Sequence, residues 1–131
     1  MPLTFISTDK APLPGGHYSQ AIVANGFVFV AGLLPIVPKT DREIPEGVTA
    51  QAQQVFSNLQ AILEEAGAGI ADVVSVQIFI PDIELWGQIN ACYTAFFGDH
   101  KPVRTIIPCG PLHYGVSLEA NAVAASSQLR P

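Results

Sequence analysis

Hydrophobic residues recur at helical spacing in two segments of the chain. In the first, residues 48–69, the apolar positions share one face and glutamine and glutamate lie opposite; that face consists of Ala52, Val55, Phe56, Leu59, Ile62, Leu63 and Ala66. This pattern predicts an amphipathic helix that stops at Gly67. A second helix is predicted after Asp82, a good capping residue, from an apolar stripe of Leu85, Ile89, Tyr93 and Phe96.

Other segments have the alternation and the residue types of β-strands. Strands are predicted at 19–24, 27–31, 72–80, 103–108 and 116–125. Asn25-Gly26 joins the first two as a hairpin, because a type I′ turn needs positive φ at both central residues. The faces expected to pack under helices are Val74, Val76, Ile78 and Ile80 in 72–80, and Leu118, Ala120, Ala122 and Ala124 in 116–125.

The predicted order β-β-α-β-α-β-β is typical of an α+β fold, with both helices on one face of an open sheet. The segment 35–47 contains three prolines and is predicted to be a surface loop. With no repeat or linker, we expect one domain over residues 1–131. The second sheet face mixes polar and apolar side chains, including Glu119 and Val123, and a face of this kind commonly meets another subunit.

Composition also favours self-association. Charged residues make up 13% of the chain and hydrophobic residues 49%, so we expect another copy of the chain to cover part of the surface. The net charge of −5 disfavours nucleic acid as a partner, since such binding needs a basic surface. Cys92 and Cys109 form neither a disulfide framework nor a metal site, which favours a reducing cytoplasm.

One apolar stretch, residues 21–37, has the hydropathy of a membrane span. It is shorter than the roughly 20 residues that a span needs, and Asn25-Gly26 and Pro35 interrupt it. No basic segment precedes it, as one would in a signal peptide. We therefore expect a hairpin here and no membrane anchor.

Arg104 and Glu119 are the first candidates for chemistry. They lie near the starts of two strands that we expect to be neighbours, so both side chains could point to the half-polar face. An arginine fork matches a carboxylate bidentately and could hold a small anionic substrate. Alternatively, the two side chains simply pair with each other at a subunit interface. Tyr18 follows paired glycines and either offers its hydroxyl to a substrate or packs with that hydroxyl satisfied.

Other polar residues have plainer interpretations. Cys109 could pair with a histidine as a thiol–imidazole dyad, although a buried cysteine is usually inert packing. The three histidines lack the spacing of zinc ligands, and no phosphate-binding glycine loop is present. Asn90 lies away from the apolar stripe of its helix, so its default interpretation is a solvated position.

Five motifs occur together and in order over nearly the whole chain. They are "GGHYSQAIVANGFVFVAGLLPI", "QAQQVFSNLQAILEEAGAGIADVVSVQIFIPDI", "INACYTAFF", "KPVRTIIPCG" and "SLEANAVA". The combination resembles the RidA/YjgF family of reactive intermediate imine deaminases, whose signature is a P-x-R strand followed by a Glu-bearing strand. The resemblance implies a chorismate-mutase-like α+β domain that assembles as a homotrimer, with a central barrel of sheets and three clefts between subunits.

The resemblance also implies a reaction: hydrolysis of 2-imino acids to 2-oxo acids and ammonia, without a cofactor. By position, Arg104 matches the arginine that grips the substrate carboxylate and Glu119 matches the acidic residue near the attacking water. Tyr18 matches the cleft tyrosine and Asn90 a helix asparagine of the central motif. Likewise, Ala31, Gly32 and Cys109 are expected at the substrate-binding cleft.

Departures from the family pattern leave the substrate open. Where "SGQ" is common in active deaminases, this chain has Ala31, Gly32 and Leu33. A cysteine is common two residues beyond the arginine, but this chain has Ile106 there. Cys109 instead occupies the "CG" position that is seen in other branches of the family. The pocket is therefore expected to be less polar. Alternatives are a deaminase or lyase of another branch acting on a different small carboxylate, or a non-catalytic trimer that binds 2-oxo acids and regulates a partner.

Overall fold

A computed structural model describes residues 2–130 of the protein. The strands are β1 Thr4–Ile6, β2 Ala21–Ala24, β3 Phe27–Leu33, β4 Val73–Ile80, β5 Val103–Pro108 and β6 Glu119–Ala125, and the helices are α1 Val48–Ala66 and α2 Trp86–Phe97. The fold is α+β, as predicted. Strand β1 was not predicted, because three residues at a sheet edge are too short to show alternation.

Backbone geometry explains where the elements turn and stop. Asn25 and Gly26 have φ of 54° and 82°, the two positive values that the predicted hairpin turn requires. Gly67 closes α1 in the left-handed conformation, and its N–H bonds to the carbonyls of the last turn. Asp82 caps a short 3₁₀ turn, Ile83–Leu85, rather than α2 itself, by accepting a hydrogen bond from the Glu84 N–H.

The strands form a six-stranded sheet in the order β1-β2-β3-β6-β4-β5. Strand β4 is antiparallel to β6 on one side and parallel to β5 on the other. The expectation that the Arg104 and Glu119 strands are neighbours is therefore wrong: β4 lies between them. The chain reaches β5 through α2, and a helical crossover of this kind is what joins parallel strands.

Both helices pack on the same face of the sheet and enclose one hydrophobic core. At its centre, the fully buried Phe56 of α1 meets Tyr93 edge-on, with ring centroids 5.8 Å apart, and stacks on Phe96 at 5.2 Å. Under the helices, β6 contributes Ala120, Ala122 and Ala124, whose small side chains let the helices approach the sheet closely. No helix within residues 2–130 is both long and apolar enough to cross a bilayer.

Alternation in β4 holds only from Val76 onward. Val73 is buried and Val74 is 42% exposed, the reverse of the prediction. The register of β4 against β6 shifts between Val73 and Ser75, and one extra residue in a strand exchanges the two faces beyond it. Val76, Ile78 and Ile80 face the core as predicted.

The face of the sheet opposite the helices, here called the open face, carries an apolar row. Phe5, Ile22, Phe29 and Val123 are paired in register across four neighbouring strands. Phe5 is 64% exposed and Phe29 is 49% exposed. About half or more of each ring is therefore open to solvent in the single chain.

Candidate active site

Strand β5 presents Arg104 toward α2, on the helix side of the sheet. Arg104 is in register with Val76, which faces the core, and parallel partners point to the same side. Its guanidinium carbon lies 4.7 Å from the centroid of the Trp86 ring and 4.6 Å from that of Tyr93. Arg104 Nη1 donates a 2.8 Å hydrogen bond to Asn90 Oδ1. The solvated interpretation of Asn90 is therefore wrong, since its amide holds the arginine.

Within residues 2–130, the Arg104 guanidinium has no carboxylate partner. The ion pairs found between residues 2 and 130 are Lys39–Asp9 and Arg130–Glu65, and neither involves Arg104. A cavity of about 380 Å³ lies beside it and is lined also by Asn90 and Tyr93. Two aromatic faces and one amide thus fix the guanidinium, while its remaining N–H donors stay available to a ligand.

The Tyr93 hydroxyl beneath this arginine is buried and has no hydrogen-bond partner among the described residues. Burial raises the pKa of the Tyr93 hydroxyl above its ordinary value, and the positive charge of Arg104 partly opposes that rise. The hydroxyl therefore stays protonated at neutral pH. Its ring supports the guanidinium without offering it a negative charge.

Glu119 begins β6 and points to the open face, because its neighbours Leu118 and Ala120 are buried under the helices. It lies against the backbone of Gly32 in β3, where a Cβ would overlap Glu119 Oε2 and lie 3.2 Å from Cδ. The register of β3 against β6 slips here: two residues, Ala31 and Gly32, stand opposite one. Such bulges redirect side chains and are frequent beside active sites.

Tyr18, Ala31 and Gly32 line a second cavity, of about 260 Å³, which is here called the Tyr18 cavity. The Tyr18 side chain is 54% exposed, so it is not buried packing. Its hydroxyl accepts one long hydrogen bond, 3.4 Å from the Gly15 N–H. Leu33, at the position where a glutamine is common in the family, is buried and adds no polar group to the cavity.

Sequence reasoning missed two residues of the Tyr18 cavity, Arg42 and Tyr114. Both have positive φ, 57° and 61°, which is uncommon for residues with bulky side chains. Arg42 lies in the segment predicted only as a surface loop, and Tyr114 in a 3₁₀ turn before β6. Neither matches a motif, so only the tertiary structure brings them to the cavity.

Cys109 follows β5, and its N–H bonds to the Ile80 carbonyl at 2.8 Å. Its thiol donates to the Gly110 carbonyl at 3.2 Å, and within residues 2–130 no histidine is hydrogen-bonded to it. His100 is instead bonded to the Val73 carbonyl. The thiol–imidazole hypothesis is therefore wrong for the single chain. Nowhere in the described part of the chain do three or more His, Cys, Asp or Glu side chains cluster as metal ligands.

Arg104 and Glu119 do not meet within one chain. Through β4, Arg104 is in register with Val76 and Glu119 is in register with Phe79. Arg104 and Glu119 are therefore two strand spacings apart across the sheet and three residues apart along the strands. At about 4.8 Å per strand and 3.3 Å per residue, their Cα atoms are about 14 Å apart. They also point to opposite faces of the sheet, so the expectation of a shared face is wrong.

The mixed sheet with two helices on one face matches the α+β fold of the solved RidA structures. Residues 8–126 match the Endoribonuclease L-PSP family. The chain belongs to this family, which is the RidA/YjgF family that its motifs resemble.

Several relatives match more than nine-tenths of the chain. A RutC family protein of Pyrococcus abyssi is 41% identical over 119 residues, 91% of this chain and 94% of the relative. The 2-iminobutanoate/2-iminopropanoate deaminase of Escherichia coli K12 is 35% identical over 122 residues, again 91% and 94%. The crystal structure of E. coli TdcF with bound serine has a TM-score of 0.90 at 34% identity and covers 95% of this chain and 99% of that one.

Proposed function

We propose that the protein hydrolyses small 2-imino or 2-enamino acids, such as 2-aminoacrylate or 2-iminobutanoate, to 2-oxo acids and ammonia. The observation that carries this proposal is the Arg104 guanidinium, which is oriented by Asn90 and two aromatic rings but is paired with no carboxylate of the described residues. A related deaminase named for 2-imino acids, at 35% identity, supports the same chemistry. So does the serine bound to TdcF, a small molecule with a carboxylate.

The site is proposed to form between copies of the chain in a homotrimer. Glu119, Gly32 and Tyr18 lie on or near the open face, whereas Arg104 projects from the far edge of the sheet toward the helices. A second copy that supplies its own Arg104 would complete the set. The exposed apolar row on the open face gives the chain a surface to bury in that assembly.

In the proposed mechanism Arg104 binds the substrate carboxylate through two parallel N–H donors. An enamine substrate first tautomerises to the imine, by taking up a proton at carbon and losing one from nitrogen. Glu119 accepts a proton from a water molecule as the water oxygen bonds to the C=N carbon, and then donates that proton to the nitrogen, which gives a carbinolamine. The hydroxyl proton of the carbinolamine then passes through Glu119 to the nitrogen as the C–N bond breaks and the C=O bond forms, so water and imine give 2-oxo acid and ammonia.

The other predicted residues take supporting roles. The Tyr18 hydroxyl would orient the water or the imine nitrogen, and the backbone at Ala31 and Gly32 would line the cleft beside Glu119. Asn90 keeps the guanidinium plane fixed. Cys109, at the end of the arginine's strand, would contact the substrate. Because 2-imino acids hydrolyse unaided, placement and one acid–base group are enough to supply the acceleration.

The test is the variant Arg104→Ala, assayed for ammonia release from freshly generated 2-aminoacrylate. We expect activity to vanish while the trimer persists, because the residue touches substrate and not the core. Arg130→Ala is the matched control, since Arg130 is a surface arginine paired with Glu65 at 2.6 Å. Full activity in Arg104→Ala would refute the assigned role.

A second candidate is a deaminase or lyase that acts on another small carboxylate. The less polar lining left by Ala31 and the buried Leu33 favours it. A substrate panel separates the two, since this candidate requires no turnover of any imino acid together with turnover of a different carboxylate.

We place the protein in the cytoplasm, on the ground that both cysteines are free.

A further inference from the structure

Arg42 is a second guanidinium at the candidate site. It lines the Tyr18 cavity together with Tyr18, Ala31 and Gly32. Gly32 in turn lies against Glu119, the carboxylate proposed to activate water. A ligand that reaches Gly32 therefore occupies the same cavity as the Arg42 guanidinium.

The charge of Arg42 is not neutralised by an ion pair in the described part of the chain. Asp41 and Glu43 flank it in sequence, yet the ion pairs found are those of Lys39 with Asp9 and Arg130 with Glu65. Of the three arginines, Arg42 and Arg104 thus lack a carboxylate partner among residues 2–130, and both line cavities.

The local backbone gives the Arg42 side chain its room. Gly15 lies against the guanidinium, and a Cβ at residue 15 would lie 2.7 Å from Arg42 Nη2, closer than real contacts allow. Arg42 itself has φ of 57°, a conformation that is uncommon for a long side chain and that is enriched at ligand-binding positions. The absence of a side chain at Gly15 and the left-handed backbone conformation of Arg42 together place the guanidinium donors in the cavity.

We propose that Arg42 is a specificity-determining residue for substrates with a second anionic group, namely 2-imino acids whose side chain ends in a carboxylate. This inference rests on the proposed function. In it, Arg104 of a neighbouring copy binds the carboxylate next to the imine carbon and Arg42 binds the distal one. A cavity of about 260 Å³, near the lower end of small-molecule sites, leaves room for a chain of several atoms between them.

The experiment compares two 2-oxo acids of equal length, 2-oxopentanoate and 2-oxoglutarate, which differ by a terminal methyl against a carboxylate. Calorimetric titration of the wild-type protein is expected to give a Kd roughly ten- to hundredfold lower for 2-oxoglutarate, the range for one charge-assisted pair. In Arg42→Gln this preference should disappear, while 2-oxopentanoate binds as before. Arg42→Lys should keep only part of it, because lysine cannot match a carboxylate bidentately.

Lys39→Gln is the matched control. Lys39 is a cation of the same loop with positive φ, but it pairs with Asp9 and does not line the Tyr18 cavity. Its variant should retain the wild-type preference, which excludes a general effect of loop charge. Circular dichroism and mass measurements on each variant establish that fold and assembly are unchanged.

The outcomes separate this inference from the proposed function. Turnover of 2-iminopentanoate and its loss in Arg104→Ala test the deaminase proposal alone. Equal affinity of the wild-type protein for the two oxo acids, or an unchanged preference in Arg42→Gln, overturns the role of Arg42 and leaves the deaminase intact. A changed oligomer mass in Arg42→Gln, with no change in preference, would assign Arg42 to subunit contact and would also overturn it.

Discussion

The contact between Gly32 and Glu119 gives the sharpest test of the proposed acid–base group. In Gly32→Ala the new methyl group would overlap Glu119 Oε2 and lie 3.2 Å from Cδ. Gly32 does not have positive φ, so alanine fits the backbone there. The side chain of Glu119 is the flexible partner, and we expect it to move while the sheet stays in place.

The size of the effect follows from that overlap. Restoring ordinary contact distances requires the Glu119 carboxylate to shift by about 1 Å, and a misplacement of that size can lower a rate about 100-fold. This corresponds to about 2.7 kcal/mol of lost transition-state stabilisation. The free energy of unfolding should change by less than about 1 kcal/mol, because neither side chain belongs to the hydrophobic core.

The assay is kcat/KM for 2-oxo acid formation from 2-aminoacrylate that a dehydratase generates in the cuvette. Gly87→Ala is the matched control, since Gly87 lies in α2 and a Cβ there meets nothing within 4 Å. It should keep full activity. In a Glu119→Gln background, Gly32→Ala should cause little further loss, because both changes act on the same group.

Two results would contradict this reasoning. If Gly32→Ala retains wild-type activity, the position of the Glu119 carboxylate does not limit the reaction. If Gly32→Ala lowers activity equally in the wild-type and Glu119→Gln backgrounds, the methyl group acts on the substrate or the backbone and not through Glu119.

Two further predictions concern the assembly of the chains and the Tyr93 ring beneath Arg104. Phe29→Glu puts a charge into the exposed apolar row, and light scattering should then show monomers, which we expect to be inactive. Ile83→Glu, which changes another exposed apolar side chain, should stay oligomeric. If Phe29→Glu also stays oligomeric, the open face is not the interface. Tyr93→Phe removes a buried hydroxyl without a partner and should raise the free energy of unfolding by about 1 kcal/mol at pH 7. Because burial raises the pKa of Tyr93, ionising its hydroxyl costs more in the folded protein than in the unfolded chain, so stability falls as pH rises above about 10. Denaturant titrations should therefore show a steeper alkaline loss in the wild-type protein than in Tyr93→Phe.

Much of the fold could be predicted because its signals are local. The helical stripe from Ala52 to Ala66, the Gly67 stop and the Asn25-Gly26 turn each depend on neighbours a few residues away. The faces of β4 were less predictable, because a register shift against β6 reverses Val73 and Val74. Such a shift is set by strand pairing, which no local pattern records.

The candidate site could be predicted only in part, for the same reason. Arg104 stood out as a lone charge in a strand, yet its partner Asn90 was interpreted as solvated, because the hydrogen bond joins α2 to β5. Arg42 and Tyr114 carry no signal at all, since a loop and a turn bring them to the Tyr18 cavity. Glu119 was predicted as a site residue, but the strand expected to lie beside its own strand was the wrong one.

The sequence by itself determined the α+β class, the two helices, five of the six strands and the family, because periodicity, turn residues and ordered motifs are properties of consecutive residues. Only the tertiary structure decided that β4 separates β5 from β6, and hence that Arg104 and Glu119 face opposite sides of the sheet. Strand order depends on which distant segments bury each other best, and that choice involves the whole core rather than any one segment.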